Sequence, residues 1–311
     1  MRKLDQQTIA YIAFAGFCIF SSSRDVLSEF FFKTGAYPAS PIFVLFVYSL
    51  ITQVVAGTIL LVSKVTLSQT RVLLWKFKNE VMWLNVTTLS AFISYFFAIR
   101  SPLGAALNAF VDYGLGPLFM AGIGVMLLQD RVDKWFALCA AICLSGIAIL
   151  VLPRLIFEEF SLAWFLGLTL ALFSSLSSAI YRVHFKVLLA NGMSTSAVVF
   201  NRLHATTLVL GVILVLDPKL FQTNLIVPTA LIGLFGFCIP LYLILNVIRR
   251  MAIPRFAILL FAFPAMTLLL SAGLGFARLY WSDLLAGVLT LVGLAAYDQS
   301  TLRDNSTASR G

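Results

Sequence analysis

Ten long apolar runs, separated by short polar breaks, dominate the sequence. Each run has about the length that a helix needs to cross the hydrocarbon core of a bilayer, roughly 20 residues. The breaks between the runs are too short to fold as separate domains. The pattern therefore predicts ten membrane-spanning helices, at approximately 8–31, 41–63, 80–99, 103–128, 134–153, 162–182, 195–216, 227–248, 253–275 and 281–298.

Composition separates this chain from soluble proteins. Of its 311 residues, 60% are hydrophobic and 11% are charged, whereas soluble domains carry roughly 25% charged residues. We therefore predict an all-α integral membrane protein, with no length left for a soluble catalytic domain. The four cysteines lie inside apolar runs without metal-ligand or redox spacing, so no metal and no cofactor are predicted.

The positions of Lys and Arg predict the orientation in the membrane, because short cytoplasmic loops collect positive charge. With the amino terminus inside, fifteen of these residues fall on the cytoplasmic side, Arg182 among them, and five fall on the other side. We expect a multi-pass protein of the cell membrane with both termini cytoplasmic. Residues 299–311 form a polar cytoplasmic tail, for which no regular structure is expected. Loop charge accounts for the net +9, so no nucleic-acid partner is predicted.

An internal repeat relates the two halves of the chain. Its strongest element is a set that recurs after 153 residues: Phe20-Ser21-Ser22 with Phe32 and Lys33, then Phe173-Ser174-Ser175 with Phe185 and Lys186. A second set recurs after 147 residues: Pro117, Arg131 and Gly146, then Pro264, Arg278 and Gly293. The repeat unit is therefore five spans, residues 1–153 and 154–298. Because five is odd, the second copy is inverted, as in many secondary transporters.

The order of these motifs resembles the drug/metabolite transporter superfamily, in particular its EamA-like ten-helix members. Each half of such proteins has a mid-span proline, a Gly-Glu-Arg turn and a late glycine. The turns here read Leu128-Gln129-Asp130-Arg131 and Gly275-Phe276-Ala277-Arg278. Asp130 and Ala277 replace the usual Glu, and Tyr48 replaces an arginine that is frequent in the second helix and is retained in the seventh as Arg202. The resemblance implies transport of a metabolite, with export frequent among relatives.

Asp112 is the strongest candidate for a residue of the transport pathway. It lies about nine residues into the fourth span, roughly 14 Å deep, where a side chain cannot reach the interface. Asn108, Asp112 and Gly116 share one helix face, which predicts a polar stripe facing a cavity. The structural alternative is a carboxylate that only joins helices by hydrogen bonds.

Further polar candidates lie in the first and seventh spans. Arg202 stands between Asn201 and His204, with pairing to Asp112 as its structural alternative. Arg24 and Asp25 are adjacent and project about 100° apart, so we expect them not to line the same point, and Arg24 to reach the outer interface. Either residue is a candidate for the lining of the pathway, with a salt bridge at the rim as the structural alternative. Tyr48 is a possible aromatic contact, with ordinary packing as the alternative.

Pro117 and Pro264 are predicted as hinges or as simple kinks, because proline frees a carbonyl inside a helix. The function predicted from all these features is that of a secondary transporter, an exporter or exchanger of a small polar metabolite, amino-acid-like or an organic anion. Its partners are the solute and membrane lipid. The alternative is a membrane-embedded lipid-modifying enzyme, but the chain lacks a recognisable nucleophile or metal motif, so we expect no enzymatic activity.

The charge asymmetry yields a first testable prediction. Single cysteines at Gln299 and Lys219 should lie on opposite sides of the membrane, because an odd number of predicted spans separates them. Labelling of oriented vesicles with a membrane-impermeant thiol reagent measures this. Labelling of both positions from the same side would refute the topology.

Overall fold

A computed structural model describes residues 6–33, 39–63, 67–129, 132, 134–157, 161–275 and 280–308. In this part of the chain all regular structure is helical and no strand occurs, as the composition predicts. The turn residues Asp130, Arg131, Ala277 and Arg278 lie outside the described residues.

We number the helices α1 to α11 in chain order and treat a helix with a local break as one element. Their bounds are α1 Gln6–Lys33, α2 Pro41–Val62, α3 Leu67–Lys76, α4 Lys78–Arg100, α5 Gly104–Leu128, α6 Lys134–Phe157, α7 Leu162–Ala190, α8 Thr195–Leu216, α9 Pro218–Arg250, α10 Ile253–Gly273 and α11 Trp281–Ala308.

Eight of these helices are long and apolar enough to cross a membrane: α1, α2, α4, α5, α7, α8, α9 and α10. The apolar stretches of α6 and α11 are shorter, Lys134–Gly146 and Leu284–Tyr297. Each predicted span therefore coincides with a helix, while the count of ten membrane crossings stays a prediction. Large apolar side chains such as Val62 and Leu216 are exposed on the helix surfaces, as expected for contact with lipid.

Two segments differ from the sequence-based expectation. The polar residues after 298 continue α11 as far as Ala308, so the expectation of an irregular tail is wrong there. An existing helix extends more easily than a new one nucleates, which explains helix formation without an apolar pattern. In addition, α7 runs to Ala190, well past the expected end at 182, and this places Arg182 inside the helix.

The helices pack in a reciprocal pattern. α7 lies against α4 and α5, and α1 lies against α9 and α10. α2 packs on α8, α5 packs on α10, and α6 packs on α11. The predicted repeat exchanges α1 with α7, α2 with α8, α4 with α9, α5 with α10 and α6 with α11. Under that exchange the two contacts of α7 map onto the two contacts of α1, and each of the other three contacts maps onto itself.

α8 is interrupted at Leu203, between the segments Thr195–Arg202 and His204–Leu216. Polar side chains of neighbouring helices satisfy the backbone groups that this break frees. The Asn85 amide Nδ2 donates to the Asn201 carbonyl at 2.8 Å, and Asn85 Oδ1 accepts from the Ala205 N–H at 3.0 Å. A membrane helix tolerates such a break only where protein groups replace the lost bonds.

Two further irregularities lie in the second half. α9 contains a π-helical stretch, Gly233–Cys238, between α-helical segments. α10 is interrupted at Phe261, three residues before Pro264, as expected where proline lacks a backbone donor. Pro117, by contrast, lies within an uninterrupted α5. The two predicted hinge positions therefore differ in local structure.

The break in α8 generates a stability prediction. Asn85→Leu keeps the side-chain volume but leaves the Asn201 carbonyl and the Ala205 N–H without their partner. Unfolding of the purified protein in detergent should show a loss of roughly 1–2 kcal/mol. Asn191→Leu is the matched control, because Asn191 is exposed and donates only to Val187 of its own helix. Equal effects of the two variants would contradict this role for Asn85.

Candidate functional site

A cavity of about 580 Å³, including its open mouth, lies where α1, α4, α5, α7, α8 and α9 meet. Both predicted halves contribute to its wall. Its charged and polar lining residues are Ser21, Arg24, Tyr95, Asp112, Tyr113, Ser174, Ser178, Tyr181, Arg182 and Arg202. Its apolar lining residues are Phe17, Ala91, Phe92, Phe96, Phe185, Phe237, Pro240, Leu241 and Ile244. Buried charge and aromatic rings therefore surround one space.

Arg24 and Asp25 form a closed ion pair at this cavity. Nε and Nη2 of Arg24 donate to Asp25 Oδ1 at 2.8 and 2.5 Å, and the Tyr95 hydroxyl donates to Asp25 Oδ2 at 2.6 Å. Of the two adjacent residues, Arg24 lines the cavity and Asp25 does not, yet the long arginine side chain folds back far enough to pair with its neighbour. Arg24 is also only 9% exposed, so it does not reach the outer interface.

Gly236 of the π-helical stretch permits this position of Arg24. A Cβ at Gly236 would lie 2.6 Å from the Arg24 Cβ, closer than two carbons can approach. The guanidinium carbon of Arg24 lies 5.7 to 5.9 Å from the ring centres of Tyr95, Phe96 and Phe237, within cation–π range. Arg24 is thus fixed by a carboxylate and by rings.

Asp112 lies in the cavity wall, as its depth predicts. Its Oδ1 accepts from Ser174 Oγ at 3.2 Å, and its Oδ2 lies 4.0 Å from Nη2 of Arg182. Pairing with Arg202 was the structural alternative from the sequence, and the structure replaces Arg202 by Arg182 as the partner. Gly116, the third member of the predicted stripe, lies next to this partner, since a Cβ there would be in ordinary van der Waals contact with Arg182 Nη1 at 3.6 Å.

Arg202 is 1% exposed and is held mainly by aromatic rings. Its guanidinium carbon lies 4.9, 4.6 and 4.6 Å from the ring centres of Phe92, Tyr181 and Phe185. Among the described residues no carboxylate lies within 4.0 Å of it. Its Nε and Nη2 have no hydrogen-bond partner there.

The other predicted site residues do not line the cavity. Asn201 is buried and donates to Ala197 of its own helix, while His204 is exposed and contacts Gln53 at 2.7 Å. Tyr48 lies behind the wall, with its hydroxyl 3.2 Å from Ser28 Oγ.

Asn108 is buried one turn from Asp112 and donates to the Tyr95 carbonyl at 3.5 Å. Its Oδ1 has no hydrogen-bond partner among the described residues.

Arg182 is the functional candidate that sequence reasoning missed. It was counted as a loop charge because an arginine after an apolar run normally marks the membrane edge. The repeat contained the signal needed to find it. An offset of 153 residues relates Arg182 to Glu29, which lies inside the first predicted span.

The chain was compared with family models, with solved structures and with curated proteins. Residues 165–297 match the family model of the EamA-like transporter family. One solved structure, titled "Crystal structure of protein", shares 20% sequence identity at a TM-score of 0.74, covering 96% of this chain and 99% of the other. At that identity the likeness concerns the fold alone. Among curated proteins no match is found.

The reassigned ion pair can be tested by combining substitutions. Asp112→Asn removes the carboxylate that faces Arg182, and the stranded buried charge should lower stability by roughly 3–5 kcal/mol. Adding Arg182→Gln should recover most of that loss, measured by unfolding in detergent. Adding Arg202→Gln instead is the control and should recover less. A larger recovery of stability with Arg202→Gln than with Arg182→Gln would show that Asp112 pairs with Arg202.

Proposed function

Because the chain belongs to the EamA-like transporters of the drug/metabolite transporter superfamily, we propose that it is a secondary transporter that moves a small polar metabolite by alternating access. Family membership makes it a membrane transporter of this type. We further propose that it is an exporter or exchanger in the cell membrane, with both termini cytoplasmic. The solute is amino-acid-like or an organic anion.

The observation that carries the proposal is the charged cavity between the two predicted halves. Arg24 and Asp112 come from residues 1–153, and Arg182 and Arg202 come from residues 154–298. Ionisable groups inside a membrane protein are expensive and commonly mark the path of a polar solute. In inverted-repeat transporters that path runs between the repeats. The family match also favours transport over the alternative of a lipid-modifying enzyme.

Contacts of the repeated serines support the inverted arrangement that alternating access needs. Ser21 and Ser174, equivalent at the 153-residue offset, both line the cavity. Their neighbours make equivalent helix contacts. Ser22 Oγ lies 2.9 Å from Thr267 Oγ1 and joins α1 to α10. Ser175 Oγ donates to the Asp112 carbonyl at 3.0 Å and joins α7 to α5.

The irregular helices supply places where the two halves can move. The break before Pro264 in α10 lies in the helix that contacts both α1 and α5. The π-helical stretch of α9 contacts Arg24 directly through Gly236. We propose the Pro264 region as a hinge. Pro117, in an uninterrupted helix, serves as its counterpart in the first half.

Cysteine accessibility tests alternating access at the cavity. In a background with the four native cysteines replaced by alanine, Ser21→Cys and Ser174→Cys should react with a membrane-impermeant maleimide from either side of the membrane. Ser22→Cys and Ser175→Cys are matched controls, because these neighbours face helix contacts and not the cavity. We expect at least ten-fold slower labelling of the controls.

The same variants define the result that contradicts the proposal. Reaction of Ser21→Cys and Ser174→Cys from one side only, in protein that takes up solute into liposomes, would rule out a site that faces each side in turn. A panel of small polar metabolites, scored by saturable uptake and by thermal stabilisation, identifies the solute.

A further inference from the structure

Two arginines of the cavity lie close to the ring of one tyrosine. The guanidinium carbons of Arg182 and Arg202 lie 5.6 and 4.6 Å from the ring centre of Tyr181. Both side chains are 1% exposed. Two like charges near one ring, away from water, repel each other, and an anion beside them reduces that repulsion.

Arg182 and Arg202 both line the cavity, and both carry buried donors without a hydrogen-bond partner among the described residues. In the part of the chain that the structure describes, Nε and Nη1 of Arg182 and Nε and Nη2 of Arg202 have no hydrogen-bond partner. Nε–H and Nη2–H of an arginine point the same way and form the edge that a carboxylate accepts with both oxygens. Buried donors without partners are costly, so this edge of Arg202 is suited to a ligand and not to an empty site.

Formal charge around the cavity leaves one positive charge without a carboxylate. Asp25 neutralises Arg24 at 2.5 Å, and Asp112 faces Arg182 at 4.0 Å. Of the three arginines that line the cavity, Arg202 alone has no acidic group within 4.0 Å among the described residues. The cavity therefore matches one negative charge on the solute, and neither Asp is free to hold an ammonium group.

We propose that the solute is a monovalent organic carboxylate, bound through its carboxylate to Nε and Nη2 of Arg202, with Arg182 adding a second cationic contact. This inference rests on the proposed transport function and names the solute class for the same cavity. Part of the solute is apolar, because Phe237, Pro240, Leu241 and Ile244 of α9 supply a stretch of wall without charge.

The local structure fixes Arg202 in this position. Arg202 ends the first segment of α8, where the helix dipole favours a positive charge. Asn85 bonds the backbone on both sides of the break, at Asn201 and Ala205. The donor edge is thus pre-organised, which lowers the entropy lost on binding.

Binding to the purified full-length protein in lipid nanodiscs tests the proposal with three probes of one shape: benzoate, benzamide and benzamidinium. Wild-type protein should bind benzoate, measured by calorimetry and thermal stabilisation, and should bind the neutral and cationic probes at least ten-fold more weakly. Equal affinity for benzoate and benzamide would overturn the proposal. This comparison needs no variant.

Substitutions of Arg202 then test whether this residue supplies the positive charge that binds benzoate. Arg202→Gln should weaken benzoate binding about ten- to hundred-fold, the effect of one charge-assisted hydrogen-bonding contact. Arg202→Lys keeps the charge, loses the two-donor edge and should be intermediate. Arg100→Gln is the control, because Arg100 is exposed at the end of α4 and lies away from the cavity. Wild-type benzoate affinity in folded Arg202→Gln protein would overturn the assignment.

The measurements separate this inference from the transport proposal. Uptake of zwitterionic or cationic solutes by liposomes, without benzoate binding, would reject the carboxylate site and leave transport standing. Benzoate binding that needs Arg202, combined with cysteine labelling of the cavity from one side only, would support the site and reject alternating access.

Discussion

Neutralisation of charge that is buried away from water is the constraint on which the centre of this protein depends. An unpaired ion in a membrane interior costs several kcal/mol, so each buried arginine requires a carboxylate, aromatic rings or a ligand. Asp25 meets this need for Arg24 within α1, and Asp112 meets it for Arg182 across α5 and α7. The serines and tyrosines around them bind the same carboxylates, and the cavity is the space these groups leave.

Irregular backbone occurs next to this charged centre, where protein groups can compensate for the bonds it loses. The α8 break directly follows Arg202, and Asn85 and Gln53 bind the carbonyls at its edge. The π-helical stretch of α9 passes Arg24 so closely that Gly236 has no room for a side chain. A regular helix at either place would alter where a guanidinium group lies. The irregularities are therefore part of the site, and mutations that regularise them should displace charges.

The sequence predicted the helices better than it predicted the partners of the buried charges. Apolar runs fix the approximate position of each span because membrane helices must be long and apolar. Asp112 could be found because its depth excludes the interface. Arg182 could not be found from hydropathy, because an arginine near the end of an apolar run gives the same signal inside a helix and in a loop. The Arg24–Asp25 pair depends on side-chain rotamers, which periodicity does not describe.

The proposed repeat relates the helices of the two halves but not the ionisable side chains on those helices. This difference bears on how the two halves of a carrier can bind a solute unequally. At the 153-residue offset, Arg24, Asp25 and Glu29 correspond to Ser177, Ser178 and Arg182. Helix packing depends on side-chain size and survives such exchanges, because serine and the stem of a charged residue both permit close contact. Each buried charge is neutralised by a group close to it. The ionisable residues of one half can therefore differ from those of the other half, provided that the neighbouring partner differs too. A solute held by Arg182 and Arg202 then contacts mainly the second half, and the first half offers Asp112 as a competing anion. In the proposed carrier the two halves therefore bind the solute unequally even if their movement is symmetric.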